Sequence, residues 1–496
     1  MNEQLLTESD FTQGFLATNP IATFKYAITS ENLTLNQRFK PCQSPIDLLR
    51  EKANFIDNLL TASWKHFLGE GAEKQALIAT GGYGRSELFP HSDIDILVLL
   101  DQSYSDDIQN GLTRFSNFLW DIGLKPGLRT CFTFECLAFA TQDQTIFTSL
   151  LEMRLVTGNQ ALFEQLKNQI LDSSLWSSER FFLAKMDEQE HRYNKFHDTA
   201  YNLEPNIKEG PGGLRDIQTI GWVFKHHYNA QSLRELIKYG FLPKTEYDSL
   251  IASRDILWRL RFALHRLTNR CEDRLLFDYQ RDLASLFGFV TEEGHPNVEP
   301  FMQFFFRTVV DIERLNEMLL QLLNERLIAS KETLSPIPIT ANFSSIAGYL
   351  EVSSDDVFQN QPLALLEIFL LLQQSPSLKG IRASTIRLIR KSLFLIDESF
   401  RHNKDANRLF IDILRQPRGI THQLKRMNRY GVLAAYLPDF ANIVARMQYD
   451  LFHIYTVDEH TLFVIRNLRR FAMDTTFDQY WFKRLNTQAV QCRCTV

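Results

Sequence analysis

Residues 80–96 constrain the fold of this chain most, because they place a glycine-rich turn between two short apolar runs. The runs at residues 76–79 and 94–100 are typical of buried strands. Between them lies Gly81-Gly82-Tyr83-Gly84, and the second run opens on Asp93-Ile94-Asp95. This order predicts a small α/β unit early in the chain.

The two aspartates predict a metal site. Residues two apart on a strand share a face, so Asp93 and Asp95 project together while Ile94 and Ile96 point into the core. Two neighbouring carboxylates repel each other unless a cation lies between them, and hard oxygen ligands select Mg²⁺ or Mn²⁺. Two metal ions held in this way can activate an attacking oxygen and stabilise a leaving phosphate oxygen. We therefore predict that Asp93 and Asp95 are catalytic metal ligands for phosphoryl or nucleotidyl transfer.

The glycine turn, residues 81–84, predicts a nucleotide site beside the aspartates. Gly81 and Gly82 lack side chains, so a triphosphate can approach the backbone N–H groups, and a helix beginning near Gly84 would add its positive end. Arg85 is predicted to hold a phosphate oxygen. Ser92 either caps the turn or bonds to a phosphate, since serine is a common turn residue.

A simpler interpretation treats the glycines as an ordinary turn and the aspartates as a solvated strand edge. The glycine pair, its spacing to the aspartates and the flanking strands agree with one another, which favours the nucleotide site. Such folds usually supply a third carboxylate from a neighbouring strand, and residues 128–137 alternate enough to predict that strand. Glu135 is the nearest candidate, with a solvated glutamate at the strand end as an equal alternative.

Composition limits the class of protein. A chain of 496 residues has room for about three domains, and 44% hydrophobic with 23% charged residues is typical of globular proteins. The net charge of −5, with scattered basic residues, argues against nucleic acid as a partner. Apolar runs are too short for a membrane span, so we expect a cytoplasmic protein without a membrane partner. The six cysteines lack paired spacing and are expected to be reduced.

The aspartate motif resembles the signature of the nucleotidyltransferase superfamily, a glycine turn followed at about ten residues by Asp-x-Asp. Residues 202–216 and 450–461 look like the bacterial bifunctional uridylyltransferase/uridylyl-removing enzyme of nitrogen control, and the resemblance runs from about residue 50 to about residue 470. The resemblance implies transfer of UMP from UTP to a tyrosine of the nitrogen regulatory protein P-II when glutamine is scarce, and removal of UMP when glutamine is plentiful.

Within residues 202–216, Lys208 and Arg215 are available to a triphosphate or to the target protein. The alternative is structural: the glycines permit a tight turn, and Arg215 bridges to Asp216 or another acid.

The predicted fold class is α+β, with a small nucleotidyltransferase-type α/β domain followed by predominantly helical domains. Apolar periodicity predicts helices at residues 45–68, 106–122, 146–156, 162–170, 216–227, 254–268 and 304–327. Two prolines at residues 333–338 suggest a domain break. The predicted domains are a helical lead-in (1–74), a nucleotidyltransferase core (75–140), a helical domain completing the uridylyltransferase half (141–335), a helical linker region (336–445) and the start of a truncated HD-type domain (446–496).

The chain departs from the family in its last residues. The family's uridylyl-removing activity is assigned to a metal-dependent HD domain, whose first helix carries the histidine that matches His460. The defining His-Asp pair comes later, and the sequence reaches Val496 without it. His197-Asp198 precedes His460 and is interpreted as chance. The family's glutamine-sensing ACT domains are also missing, so we expect uridylyl transfer with little removal and no glutamine response.

Other functions remain open at this point. The same fold could transfer AMP to glutamine synthetase, or a nucleotide to a small molecule or an RNA end, although the net charge disfavours RNA. Both UTP and ATP stay open as substrates. A different class of function is an inactive fragment that only binds P-II.

Overall fold

The computed structural model of this protein describes residues 6–102, 104–172, 175–196, 202–328, 335–449 and 455–473. They fall into two compact units, the first made of the chain up to Lys195 together with Asn206–Gly288, and the second made of the rest. The fold class is α+β, as predicted, with a small α/β domain followed by predominantly helical regions.

The first unit contains a four-stranded sheet built on the two predicted strands. Its strands are β1 (Ala76–Ala79), β2 (Ile94–Leu100), β3 (Pro126–Phe132) and β4 (Arg154–Gly158). They lie in the order β3-β2-β1-β4, with β2 parallel to β3 and the other two pairs antiparallel. The bounds of β1 and β2 agree with the apolar runs that predicted them.

Helices surround this sheet in the first unit. They are α1 (Glu8–Gly14), α2 (Pro20–Arg38), α3 (Ile46–Leu68), α4 (Gly81–Gly84), α5 (Asp106–Asp121), α6 (Thr133–Gln142), α7 (Gln144–Leu151), α8 (Gln160–Leu171), α9 (Ser178–Lys195), α10 (Leu214–Tyr228), α11 (Glu235–Lys238), α12 (Lys244–Thr268) and α13 (Phe277–Leu286).

The core of the first unit fixes β2 from its apolar side. Ile96 and Val98 are buried in one cluster with Trp64 of α3 and Phe115 of α5, whose rings meet edge to face at 5.5 Å. Apolar side chains on these helices recur at three and four residues, which is why they form helices with one buried face. The polar beginning of β2 is left at the edge of this core.

Two expectations for the sheet are wrong. The strand predicted at residues 128–137 ends at Phe132, because α6 begins at Thr133. The helix predicted at residues 146–156 also ends early, at Leu151, and the chain then extends into β4. The predicted helical domain at residues 141–335 therefore includes a strand, since β4 pairs with β1 and completes the sheet.

The second unit has its own core and a second sheet. Its strands are β5 (Ile337–Pro338), β6 (Phe343–Ile346), β7 (Tyr349–Val352) and β8 (Gly380–Ile381), in that order across the sheet. Its helices are α14 (Val298–Leu327), α15 (Val357–Asn360), α16 (Ala364–Gln374), α17 (Ala383–Lys391), α18 (Glu398–Arg401), α19 (Lys404–Arg415), α20 (Ile420–Tyr430), α21 (Val432–Tyr436), α22 (Pro438–Ala441) and α23 (Val457–Met473).

This second sheet lies within residues 336–445, for which the sequence predicted a helical linker region. The four strands are short, at two to four residues each, so their sequence carries too little alternation to signal a sheet. The break predicted at residues 333–338 lies partly outside the described residues, and the predicted domain boundaries stay predictions. Among the described helices, none combines the length and the apolar character needed to cross a membrane.

Candidate active site

The candidate site begins where β2 begins. Asp93 and Asp95 are exposed, whereas Ile94 and Ile96 are 6% and 2% exposed, so the two carboxylates lie at the N-terminal end of β2. Although Asp95 keeps an exposed surface, partial burial of its carboxylate and the neighbouring charge of Asp93 raise its pKa, and the positive charge of Lys208 opposes this rise. A divalent cation between the two carboxylates would relieve their repulsion, so these residues fit Mg²⁺ or Mn²⁺.

The carboxylate of Asp95 lies between two positions that have no side chain. A Cβ atom on Gly81, whose φ is +56°, would lie 3.1 Å from Oδ2 of Asp95. A Cβ atom on Gly127 would lie 2.7 Å from Oδ1. Gly127 is paired with Asp95 across the β2–β3 register. The two glycines therefore leave the space that this carboxylate occupies.

Sequence reasoning missed Gly127. The predicted third strand began one residue later, at Leu128, so Gly127 stood outside it. A glycine within a strand often marks the close approach of another group, and this signal could have identified it once the strand was extended to Pro126.

The glycine turn does not lead into a long helix. The expectation of a helix beginning near Gly84 is wrong, because α4 ends there and Ser86 follows with a φ of +58°. Gly84 itself is required by packing, since a Cβ atom there would lie 2.1 Å from the carbonyl oxygen of Glu152. A short turn, rather than the end of a long helix, therefore lies beside the carboxylates.

Arg85 is held by two acids. Its Nε donates to Glu87 at 2.8 Å, and its Nη1 donates to Glu152 at 2.5 Å. Glu152 is buried and also accepts a hydrogen bond from Nε1 of Trp222 at 2.5 Å. The remaining Nη2 of Arg85 lies 3.8 Å from the position of a Cβ atom on Gly82. Arg85 thus fixes the turn and directs one amino group toward it.

Glu135 and Ser92, two further predicted candidates, lie in different settings. Oε2 of Glu135 accepts a hydrogen bond from the backbone N–H of Phe132 at 2.9 Å, as in a helix cap. β3 carries no acidic residue. The neighbouring strand therefore gives Asp95 a glycine rather than a third carboxylate. Ser92 is half-buried in the turn before Asp93, where its N–H donates to the carbonyl oxygen of Phe89 at 3.1 Å.

A second glycine-rich segment, residues 206–213, is called the glycine loop below. It is locked by the buried carboxylate of Asp216, which accepts hydrogen bonds from Nη2 of Arg192 at 2.5 Å, from the hydroxyl of Tyr193 at 2.6 Å and from the N–H of Gly212 at 2.7 Å. A charged acceptor with three donors fixes its surroundings strongly. The conformation of the glycine loop is therefore fixed by Asp216.

Lys208 and Arg215 have different surroundings. Arg215 donates to both carboxylate oxygens of Glu209, at 2.8 and 3.3 Å, and to Oε1 of Gln218 at 3.0 Å. Its guanidinium also lies over the ring of Trp222, 5.1 Å from the centroid. The structural alternative for Arg215 is thus the observed one, with Glu209 as the acid. Lys208, in contrast, is close enough to Asp95 for its charge to lower the pKa of that carboxyl.

A chain of contacts joins the glycine loop to the segment that precedes Asp93. The N–H of Ile207 donates to the carbonyl oxygen of Asp273 at 2.8 Å. The carboxylate of Asp273 accepts from Nε of Arg261 at 2.6 Å and lies 3.4 Å from Nε2 of His265. Nδ1 of His265 accepts from the N–H of His91 at 3.4 Å. The backbone next to Lys208 is therefore connected to the segment that leads into Asp93.

Ligand atoms of His265, Cys271 and Asp273 lie within 4.8 Å of one another, as a metal site would require. Nδ1 of His265 is a hydrogen-bond acceptor, so its Nε2 carries the proton and offers no lone pair to a metal ion. Asp273 is already paired with Arg261. We interpret this group as structural support for the site.

His460 is exposed on α23 in the second unit. The two acids before it are buried: Asp458 accepts from Asn428 at 3.1 Å, and Glu459 is ion-paired with Lys425 at 2.5 Å. The dipeptide at residues 197–198 lies outside the described residues.

Comparison with known families gives matches over three segments. Residues 64–155 match the Nucleotidyltransferase domain, which includes both aspartates and the glycine turn. Residues 180–320 match the GlnD PII-uridylyltransferase family, which includes the glycine loop. Residues 343–436 match the Uridylyltransferase GlnD third domain.

Similar full-length proteins share one name, bifunctional uridylyltransferase/uridylyl-removing enzyme. The protein from Methylococcus capsulatus is 54% identical over 454 residues, covering 92% of this chain and 52% of the relative. The protein from Nitrosococcus oceani is 50% identical over 439 residues, covering 88% and 49%. The protein from Pseudomonas fluorescens SBW25 is 44% identical over 455 residues, covering 92% and 51%. The chain spans about half the length of these relatives.

Proposed function

Since this chain belongs to the family of bifunctional uridylyltransferase/uridylyl-removing enzymes, we propose that its Asp93/Asp95 site transfers UMP from UTP to a tyrosine of P-II and releases pyrophosphate. One observation carries the proposal. The carboxylate of Asp95 is seated between Gly81 and Gly127, beside Asp93, in the segment that matches a nucleotidyltransferase domain.

In this proposal Asp93 and Asp95 hold Mg²⁺ or Mn²⁺. When bound, the metal ions would supply charge that activates the attacking oxygen and stabilises the leaving phosphate oxygen. The role of the chain is to fix the two carboxylates. Ile94 and Ile96 anchor β2 in the core, so both carboxylates are already held in position at the end of β2. No further conformational entropy is lost to place them when the reaction occurs.

The glycine turn is proposed to bind the triphosphate. Without side chains at Gly81 and Gly82, the phosphates can approach the backbone N–H groups closely. Nη2 of Arg85 is directed toward Gly82 and is proposed to bond to a phosphate oxygen, while the two acids hold the rest of its guanidinium. Ser92 keeps both of its proposed roles, the turn and a phosphate contact.

The transfer is a direct displacement. The phenol oxygen of the acceptor forms a bond to the α-phosphorus, and the bond from that phosphorus to the bridging oxygen of the β-phosphate breaks. The electron pair leaves with pyrophosphate, and the phenol proton passes to solvent water. The enzyme needs no nucleophile of its own. In this proposal the two carboxylates contribute by holding the positive charge of the metal ions beside the reacting phosphate.

The experiment is incubation of the purified chain with P-II, Mg²⁺ and α-labelled UTP, with α-labelled ATP and glutamine synthetase in parallel. We expect label from UTP on a tyrosine of P-II. Label from ATP, or on glutamine synthetase, would favour adenylyl transfer. Capture of P-II without label would favour the inactive fragment.

The expected loss of uridylyl removal and of a glutamine response stays a prediction, as does the cytoplasmic location. The same assay tests the first two after UTP is removed. We expect the label to stay on P-II with and without glutamine, and loss of label would contradict this.

A further inference from the structure

We propose that Lys208 binds the β- and γ-phosphates of the nucleotide and holds the pyrophosphate as it leaves. The inference rests on the proposed function, because it assigns a residue to the leaving-group side of the same site. It distinguishes Lys208 from Arg215, the neighbouring cation that the sequence made equally available.

The backbone at Lys208 is fixed on both sides. Its N–H donates to Oδ1 of Asn206 at 3.0 Å, and its carbonyl oxygen accepts from the N–H of Arg215 at 2.9 Å. Gly213 has no room for a side chain, because a Cβ atom there would lie 2.8 Å from the carbonyl oxygen of Lys208. The backbone of Lys208 is therefore held in place. A cation on a fixed backbone loses less conformational entropy when it binds an anion.

The ammonium of Lys208 lies within electrostatic range of the carboxylates. Its charge acts on Asp95, and it acts on Cys271 together with the charge of Asp93. Contacts through Ile207, Asp273 and His265 connect the glycine loop to His91, two residues before Asp93. A ligand bound to the aspartates would therefore lie against Lys208.

Lys208 has a long ion pair. Its Nζ lies 3.8 Å from Oε1 of Glu209, and that oxygen is already bonded to Arg215 at 2.8 Å. By contrast, Arg215 is held by Glu209 and Arg261 by Asp273. Of these three cations, Lys208 is the one whose charged group is farthest from its acidic partner. An incoming anion can therefore pair with it more readily than with Arg215 or Arg261.

The surroundings favour a highly charged anion over an acidic side chain of the acceptor. Burial, together with the charges of Arg261 and Arg215, lowers the pKa of Lys208, and the charges of Asp273 and Glu209 oppose this shift. A triphosphate brings several negative charges to this place, and its charge-assisted bonds to an ammonium are strong ones. As the bond to the α-phosphorus breaks, negative charge grows on pyrophosphate, and Lys208 stabilises it while keeping its own proton.

The test uses Lys208→Gln and Lys208→Met, with Lys208→Arg for rescue. Lys244→Gln is the matched control, because Lys244 is an exposed lysine of the same unit at the start of α12, where it pairs with Asp248 at 2.5 Å. Calorimetry gives the dissociation constants for UTP and for pyrophosphate, each with Mg²⁺. Steady-state kinetics give kcat and the KM values for UTP and P-II, and a melting curve checks folding.

We expect Lys208→Gln and Lys208→Met to bind both UTP and pyrophosphate about 10- to 100-fold more weakly, the value of a hydrogen bond to a charged group. Lys208→Arg should restore most of this binding, and the KM for P-II should not change. Lys244→Gln should behave as the wild type does.

Two results would overturn the inference. Unchanged binding of UTP and pyrophosphate with a raised KM for P-II would assign Lys208 to acceptor docking. A lower melting temperature with equal loss in every constant, not rescued by arginine, would make Lys208 structural. A wild-type chain that binds UTP but does not label P-II would refute the proposed function alone, since the binding measurements would still decide the role of Lys208.

Discussion

The glycine turn and the glycine loop look alike in sequence but use glycine for different reasons. In the turn, a Cβ atom on Gly81 would meet the carboxylate of Asp95. In the loop, a Cβ atom on Gly210 would lie 2.7 Å from the carbonyl oxygen of Asn206, and one on Gly213 would lie within 2.8 Å of three carbonyl oxygens. In the turn, Gly81 makes space for a carboxylate of the site, although Gly84 packs against backbone, whereas in the loop the glycines let the backbone fold tightly on itself.

This difference indicates how to interpret glycines near an active site. A glycine whose missing Cβ faces a functional group should matter for activity, and one whose missing Cβ faces backbone should matter for stability. Gly127 belongs to the first class although it lies in neither glycine-rich segment. Four predictions follow this distinction, beginning with the carboxylates that the first class serves.

Asp93→Ala should have the largest effect. Removal of one of two carboxylates leaves too few ligands for the metal ions, which are worth several kcal/mol to the transition state, so transfer should fall by about 1000-fold or more. Labelling of P-II measures the rate, and a melting curve should show an unchanged fold because Asp93 is exposed. Transfer at near wild-type rate would remove this site from consideration.

Gly127→Ala should impair transfer by about 100-fold, since the new methyl group would displace Oδ1 of Asp95 and small misplacements cost about that much. Stability should change little, because Gly127 lies on the edge strand β3. Thr130→Ala, at an exposed position of the same strand, is the control and should retain activity. Equal rates for both variants would show that Asp95 does not need this space.

Gly213→Ala should lower the stability of the fold. Its Cβ atom would be overpacked against the carbonyl oxygens of Ile207, Lys208 and Gly210, which should lower the free energy of unfolding by about 1–3 kcal/mol. Denaturant unfolding measures this difference. A fully stable Gly213→Ala variant would contradict the distinction between the two segments.

The smallest effect concerns the pH dependence of Asp95. The pKa of Asp95 is raised above that of an ordinary aspartate, which is about 3.9. When the pH is lowered, this carboxyl is therefore protonated at a higher pH than usual. Mg²⁺ affinity should therefore weaken at a pH above that value, as calorimetry can measure. The ionised form is disfavoured in the fold, so Asp95→Asn should melt no lower than the wild type without Mg²⁺ at neutral pH, and Mg²⁺ should raise the melting temperature of the wild type only.

The sequence predicted the elements whose signals are local. β1 and β2 follow from their apolar runs, and the long helices follow from their periodicity. β4 was missed because it follows α7 after two residues, and its pairing with β1 joins Ala76 to Gly158, far along the chain. The alternation that exposes Asp93 and Asp95 is likewise local, which is why these two residues could be selected from sequence.

Residues that complete the site depend on contacts between distant segments. Gly127 faces Asp95 through the register of β2 and β3, and Lys208 reaches the site through the contacts of Asp273. The sequence marks Gly127 as a strand glycine and Lys208 as an available cation, but it does not show which distant residues they meet. Glu135 shows the converse, because a local pattern suggested a strand-end carboxylate and α6 uses it as a cap.

The most direct test of the account is intact-mass analysis of P-II after incubation with UTP and Mg²⁺, with the wild-type chain and Asp95→Asn side by side. The account predicts that the wild type adds one UMP per P-II subunit on a tyrosine, and that Asp95→Asn leaves P-II unchanged. Unmodified P-II with a folded wild-type chain, or equal modification by both chains, would contradict it.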